Sequence, residues 1–154
     1  MIDPEELMTA AIAACRRGVD RGQTPFGCAV AVGDRIVGCC HNTVRATYDV
    51  AAHAEINALR EATQSLRTLR LEQAIVAATC EPCPMCLAAL HRAGVALVYY
   101  GADVDDARRA GFGDMQAPSA ELLRLAGSPL RMVGGVMAEE CRSLFAAWSP
   151  RPPA

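Results

Sequence analysis

The stretch from Gln73 to Ala102 constrains the fold more than any other part of this chain. It opens with QAIVAATC (73–80), a nearly unbroken apolar run of the length and kind that a buried strand needs. Pro82 and Pro84 follow, just where a helix would begin. Proline fits there because the first turn leaves its N–H groups unpaired in any case. Pro84 to Ala93 then reads as a short helix, and GVALVYYGA (94–102) as a second strand. A strand, a helix and a strand within about thirty residues form a layered unit.

The remaining chain extends that pattern. Asp3-Pro4-Glu5-Glu6 has the form of a helix start, with an N-cap, an N1 proline and acids in the first turn. Leu7, Ala11, Ile12 and Cys15 carry helical spacing on to about Val19. In TPFGCAVAVGDRIVGCCHN (24–42), two apolar runs flank Gly33-Asp34, the signature of a hairpin. Residues 43–51 read as loop, 52–66 as helix, and 106–118 as a loop with two glycines. A helix over 119–126, a short strand over 129–134 and a last helix over 137–148 complete the expectation. Strands alternating with helices after a hairpin predict an α/β fold, one mixed sheet covered by helices. Residues 1–148 form one domain in this reading, and SPRPPA (149–154) is a flexible tail.

Composition removes several classes of function. At 154 residues with 52% hydrophobic and 21% charged, the chain can bury a core and is globular rather than disordered. All fifteen basic residues are arginine, the net charge is −2, and the densest basic sites are the doublets Arg16-Arg17 and Arg108-Arg109. No arginine stripe tracks a phosphate backbone, which argues against a nucleic-acid partner. No apolar run reaches the roughly eighteen residues of a membrane span. The N-terminal MIDPEELMTA is acidic and lacks an apolar signal core. The eight cysteines are therefore expected in a reducing cytoplasm, most of them as small buried residues.

Three cysteines and histidines stand apart from that background. Cys83-Pro84-Met85-Cys86 places two thiols at i and i+3 of a helix's first turn, on one face. The helix N-terminus favours thiolate over thiol, and thiolate is the metal ligand. His53 opens another helix about thirty residues earlier, with Glu55 two residues on. One His and two Cys describe a zinc site with an open fourth position, which is the catalytic form. Zinc lowers the pKa of a bound water, and a carboxylate beside it can carry the proton. Glu55 is the candidate shuttle. A redox C-x-x-C would also follow a strand and open a helix, but it leaves His53 and Glu55 idle. A closed four-cysteine site would have to recruit Cys80 from the strand.

With these residues in place, 53-HAE-55 and 82-PCPMC-86 resemble the zinc-dependent nucleobase and nucleoside deaminases of the cytidine/deoxycytidylate deaminase superfamily. The likeness runs in order from about Pro25 to Tyr100, through PFGCAV (25–30) and His41-Asn42, and continues more weakly to the last helix. It implies a three-layer α/β/α fold with a five-stranded mixed sheet, usually dimeric or higher. It implies one zinc per subunit on His53, Cys83 and Cys86. It also implies hydrolysis at a ring carbon bearing an exocyclic amine, with Glu55 protonating first the ring nitrogen and then the departing ammonia.

Within that family, ADVDDARRAGFGDM (102–115) and EECRSLFAAW (139–148) resemble bacterial guanine deaminases most. The resemblance assigns substrate contacts to Phe26, Asn42, Ala54 and Asp114, guanine as a substrate released as xanthine and ammonia, and a place in purine salvage. A small-molecule base, a homodimer and no nucleic acid or membrane partner go with it. The sequence departs from the guanine pattern where Gly113 and Ser119 stand in place of acids, and where Trp148 is the last aromatic. Deamination of cytosine, a related heterocycle or a nucleoside is the alternative, then of tRNA adenosine. A silent zinc-binding partner subunit would ordinarily lack the shuttle carboxylate, and Glu55 is present.

Overall fold

The computed structural model describes residues 1–113, 115 and 117–148. Helix α1 (Pro4–Asp20) is followed by the hairpin β1 (Gly27–Val32) and β2 (Arg35–His41). A single helical turn α2 (Val44–Thr47) leads to α3 (Ala54–Leu66), then β3 (Ala74–Cys80), α4 (Pro84–Arg92) and β4 (Leu97–Ala102). The chain continues through α5 (Val104–Arg109), α6 (Ser119–Ala126), β5 (Arg131–Val133) and α7 (Ala138–Ala147). The sheet has five strands in the order β2-β1-β3-β4-β5. β1 runs antiparallel to both β2 and β3, whereas β3, β4 and β5 are parallel. This is the expected mixed α/β sheet with helices on both faces.

The alternation of side chains along the central strands divides the core in two. Cys28, Val30 and Val76 join Ala58 and Leu59 of α3, Leu87 and Leu90 of α4, and Leu123 of α6. Ala29, Ala31, Ile75 and Ala77 join Leu7, Met8 and Ile12 of α1 and Leu144 of α7. Every residue of β3 is buried, which is why its sequence shows no polar alternation. Two glycines let helices approach the sheet closely. A Cβ at Gly27 would strike the Ala11 carbonyl oxygen of α1, and one at Gly38 the Ala58 carbonyl oxygen of α3.

Local signals place the helix ends. Asp3 accepts from the N–H groups of Glu5 at 2.9 Å and Glu6 at 3.3 Å, with Pro4 in the first turn. Gly33 turns the hairpin with φ +63°. Two expected loops contain helix. Tyr48, in the left-handed region at φ 51°, ends α2 inside residues 43–51. In the segment after β4, Asp103 accepts from Asp106 N–H at 2.8 Å, and Asp106 accepts from Asp103 N–H at 3.0 Å. That reciprocal cap starts α5, a helix too short for hydrophobic periodicity to reveal. The expected strand over 129–134 is shorter, Arg131–Val133. Of the strand cysteines, Cys28 is buried, while Cys39 and Cys40 are only half-buried, with Glu61 accepting from the Cys39 N–H and the Cys40 thiol. None of the eight cysteines forms a disulfide. No described helix is long and apolar enough to cross a membrane. The tail 149–154 lies outside the described residues.

Candidate metal centre and catalytic cavity

Register brings the site together. β1 and β3 are antiparallel, so the start of β1 lies beside the end of β3, and the end of β2 lies beside the start of β1. Gly27 pairs with His41, Cys28 with Ala78, and Gly27 N–H donates to Thr79 Oγ1 at 3.1 Å. Phe26, Asn42 and Glu81 thus meet at one end of the sheet, although they are scattered in sequence. Helices α3 and α4 both begin at that end. His53 is the N-cap of α3 and Cys83 the N-cap of α4, each with extended backbone and no capping side chain. Cys86 lies one turn into α4 and is buried.

The three expected metal ligands come together. His53 Nδ1 lies 3.6 Å from Cys83 Sγ and 3.4 Å from Cys86 Sγ. All three ligand atoms lie within 4.8 Å of one another, close enough to hold one ion. One imidazole and two thiolates are a donor set that suits zinc, and three protein ligands leave a position for a reactant. The hydrogen bond from the Cys86 thiol, with the His53 ring beside it, draws Cys83 down to about 4. The same bond, together with burial, pushes Cys86 well up. Metal binding therefore competes with protons for these thiols.

Glu55 points into this centre from the first turn of α3. It is 8% exposed, and its Oε2 lies 3.5 Å from Cys86 Sγ. Burial raises its pKa above the ordinary 4.5. A carboxyl moved toward neutrality is suited to take a proton and give it back. Ala54, between the two in sequence, is wholly buried in the core and does not line the cavity. Cys80 stays on its strand and donates to the Asp103 carbonyl at 3.7 Å, outside the ligand group.

The centre opens into a cavity of about 450 Å³, lined by His53, Glu55 and Cys83 on one side and by Phe26, Asn42, Phe112 and Met115 elsewhere. Asn42 is 5% exposed. Its Oδ1 accepts from Val44 N–H at 3.0 Å, so it is a turn cap as well as a cavity wall. His41 alternates away, packs toward Gly18 of α1 and is no ligand. Phe26 meets Phe112 edge to face at 5.1 Å and Phe145 at 5.9 Å, and Phe112 lies 5.1 Å from Trp148. Asp114 lies outside the described residues.

Other residues of the site were not singled out from sequence. Arg45 and Glu81 line the cavity. Asn57 ties the 42–52 segment to α3 by donating from Nδ2 to Thr43 Oγ1 at 2.9 Å and to the carbonyls of His41 at 3.0 Å and Ala52 at 3.3 Å. Its place one turn after His53 was the only local hint. Met85, beside the ligands in sequence, is 38% exposed. His91 stands on the far part of α4, where its Nδ1 pairs with Ser128 Oγ at 2.6 Å.

Comparison with known proteins gives the same picture. Residues 1–102 match the cytidine and deoxycytidylate deaminase zinc-binding region. The guanine deaminase of Bacillus subtilis (strain 168) is 37% identical over 111 residues, 71% of this chain and 71% of its own length. The tRNA-specific adenosine deaminase of the same strain is 30% identical over 153 residues, 96% of this chain and 89% of its own. A solved structure of guanine deaminase from Nitrosomonas europaea superposes with a TM-score of 0.86 at 25% identity, covering 96% of this chain and 85% of that one.

Proposed function

Because the chain belongs to the cytidine and deoxycytidylate deaminase family, we propose that this zinc-binding deaminase acts on a free amino-purine base, guanine to xanthine and ammonia in the first place. The observation that carries the reading is the cavity: a buried carboxyl and three metal ligands at one end, and an amide and aromatic rings along the walls. About 450 Å³ admits a bicyclic base, and the walls bring ring faces and a hydrogen-bonding amide to it.

His53, Cys83 and Cys86 would hold the zinc, which supplies an activated water for attack on an amine-bearing ring carbon. Glu55 takes the proton of the attacking water and delivers it to the adjacent ring nitrogen. A second proton passes through Glu55 to the exocyclic nitrogen, the carbon–nitrogen bond breaks, and ammonia leaves while the new carbon–oxygen bond becomes a carbonyl. Asn42 Nδ2 donates to a ring acceptor while its Oδ1 stays on Val44 N–H. Phe26 covers one face of the base, held edge to face by Phe112. Asp114 is a further contact in this reading, and a homodimer its assembly.

The test is ammonia release from guanine by the zinc-loaded protein, with guanosine, cytosine, adenosine and a tRNA anticodon stem-loop in parallel. Turnover of guanine well above the others is the expected result. Turnover of the stem-loop alone would favour the second reading, tRNA adenosine deamination, which the 96% coverage by the Bacillus subtilis tRNA deaminase supports.

A further inference from the structure

We propose that Glu81 is a positioning residue: its one carboxylate holds the cavity wall supplied by α5 and the segment leading to α6 in register with the metal turn. Glu81 sits between β3 and Cys83, and its own N–H donates to the Ala102 carbonyl at 2.8 Å. Its Oε2 accepts from Val104 N–H at 3.2 Å, the first residue of α5. Its Oε1 accepts from Ser119 N–H at 2.9 Å and from Ser119 Oγ–H at 2.6 Å, the first residue of α6.

These two amides need such a partner. The first N–H groups of a helix have no acceptor within it, and a negative charge there also suits the helix dipole. α6 receives no side-chain cap from its own N-cap, Pro118. Ser119 is 2% exposed, so without Glu81 its N–H and hydroxyl would be buried unpaired. Between the two anchored residues the chain supplies Ala107, Gly111, Phe112, Gly113 and Met115 to the cavity wall. One carboxylate therefore pins both ends of that wall, from a point two residues before a metal ligand. Both of its oxygens accept bonds from the two anchored residues. The sequence offset from the guanine pattern at Ser119 gains a role here: the serine binds back to Glu81.

The test is Glu81→Gln in the zinc-loaded full chain. A glutamine has one acceptor oxygen, and its amide group would face one of the two N–H donors, so one anchor is released. Hydrogen exchange read by mass spectrometry on peptides spanning the starts of α5 and α6 should quicken by about tenfold, with α3 unchanged as the internal reference. The kinetic arm rests on the deaminase reading and uses whichever amine the ammonia assay identifies. There KM should rise by roughly tenfold with kcat nearly unchanged and zinc retained. Ser119→Ala deletes only the hydroxyl bond and should quicken exchange at α6 by about threefold. Unchanged exchange in both variants would overturn the proposal, as would a fall in kcat at constant KM or loss of zinc with exchange unaltered. If Glu81→Gln does not fold, Ser119→Ala decides by the same α6 exchange. That arm needs no substrate, so an inactive protein would defeat the guanine reading and leave this one standing or falling by itself.

Discussion

The two walls of the cavity are built differently. The metal wall is carried by the backbone: His53 and Cys83 are the N-caps of helices packed on the central strands, and Glu55 and Cys86 follow within a turn. Their positions follow from helix geometry and strand register, supported by buried core on both sides. A second wall, with Ala107 of α5 and Gly111, Phe112, Gly113 and Met115 of the connection to α6, is built from this later segment. Side chains hold it: the Glu81 carboxylate at its ends, and the Phe26, Phe112, Phe145 and Trp148 rings along its length. In the proposed reading, reaction type belongs to the first of these walls and substrate choice to the second, which is held by a few long-range contacts.

The largest expected effect strikes the metal wall. Glu55→Gln should lower kcat by about 10²–10⁴-fold while zinc content is retained, measured by ammonia release and metal analysis. The same substitution probes stability, and the sign can be worked out. Burial raises the Glu55 pKa above 4.5 in the folded chain, so its favourable contribution is present at low pH and lost as pH rises through the folded value. Thermal melts of the zinc-free protein should show the Gln variant more stable than wild type near neutrality and the difference shrinking as pH falls toward 4.5.

Zinc affinity offers the next test of that wall. The bond between the thiols draws Cys83 down to about 4 and pushes Cys86 well up. Binding should therefore release a proton, chiefly from Cys86. Competition against a chromophoric chelator should show affinity falling about tenfold per unit of pH lowered across pH 6–8. A steeper fall would mean that more than one proton leaves the three ligands.

Asn42→Asp separates the two duties of one side chain. The acid keeps an oxygen for Val44 N–H and loses the amide donor to the base. A loss of roughly tenfold or more in kcat/KM, with the melting temperature little changed, is expected. A melting temperature that falls with activity would make Asn42 a turn residue first. The smallest effect is reserved for the rim of the aromatic wall. Trp148→Ala removes one ring packed 5.1 Å from Phe112 and should raise KM by only a few-fold, leaving kcat intact.

The hairpin, the buried β3, the longer helices and the pairs His53 with Glu55 and Cys83 with Cys86 were legible beforehand. Each of these rests on an interaction between near neighbours in sequence: an alternating face, a proline at N1, two thiols one turn apart. The resemblance to a deaminase family joined the two halves of the centre, because spacing alone does not bring His53 to Cys83. What stayed hidden lacks such local marks. α5 starts on an Asp103–Asp106 exchange in a segment without apolar period. Glu81 looked like one more residue of the turn, and its partners lie 23 and 38 residues away.

By itself, then, the sequence determined that the chain layers helices on a mixed sheet and that it carries the donors and the carboxylate of a zinc deaminase. Those outcomes depend on short-range geometry and on the kinds of atoms present. Only the tertiary structure decided which residues line the cavity. That choice depends on the antiparallel register that sets Phe26 beside Asn42, and on long-range hydrogen bonds and ring contacts that hold the second wall. Such contacts are made by residues whose proximity no local pattern encodes.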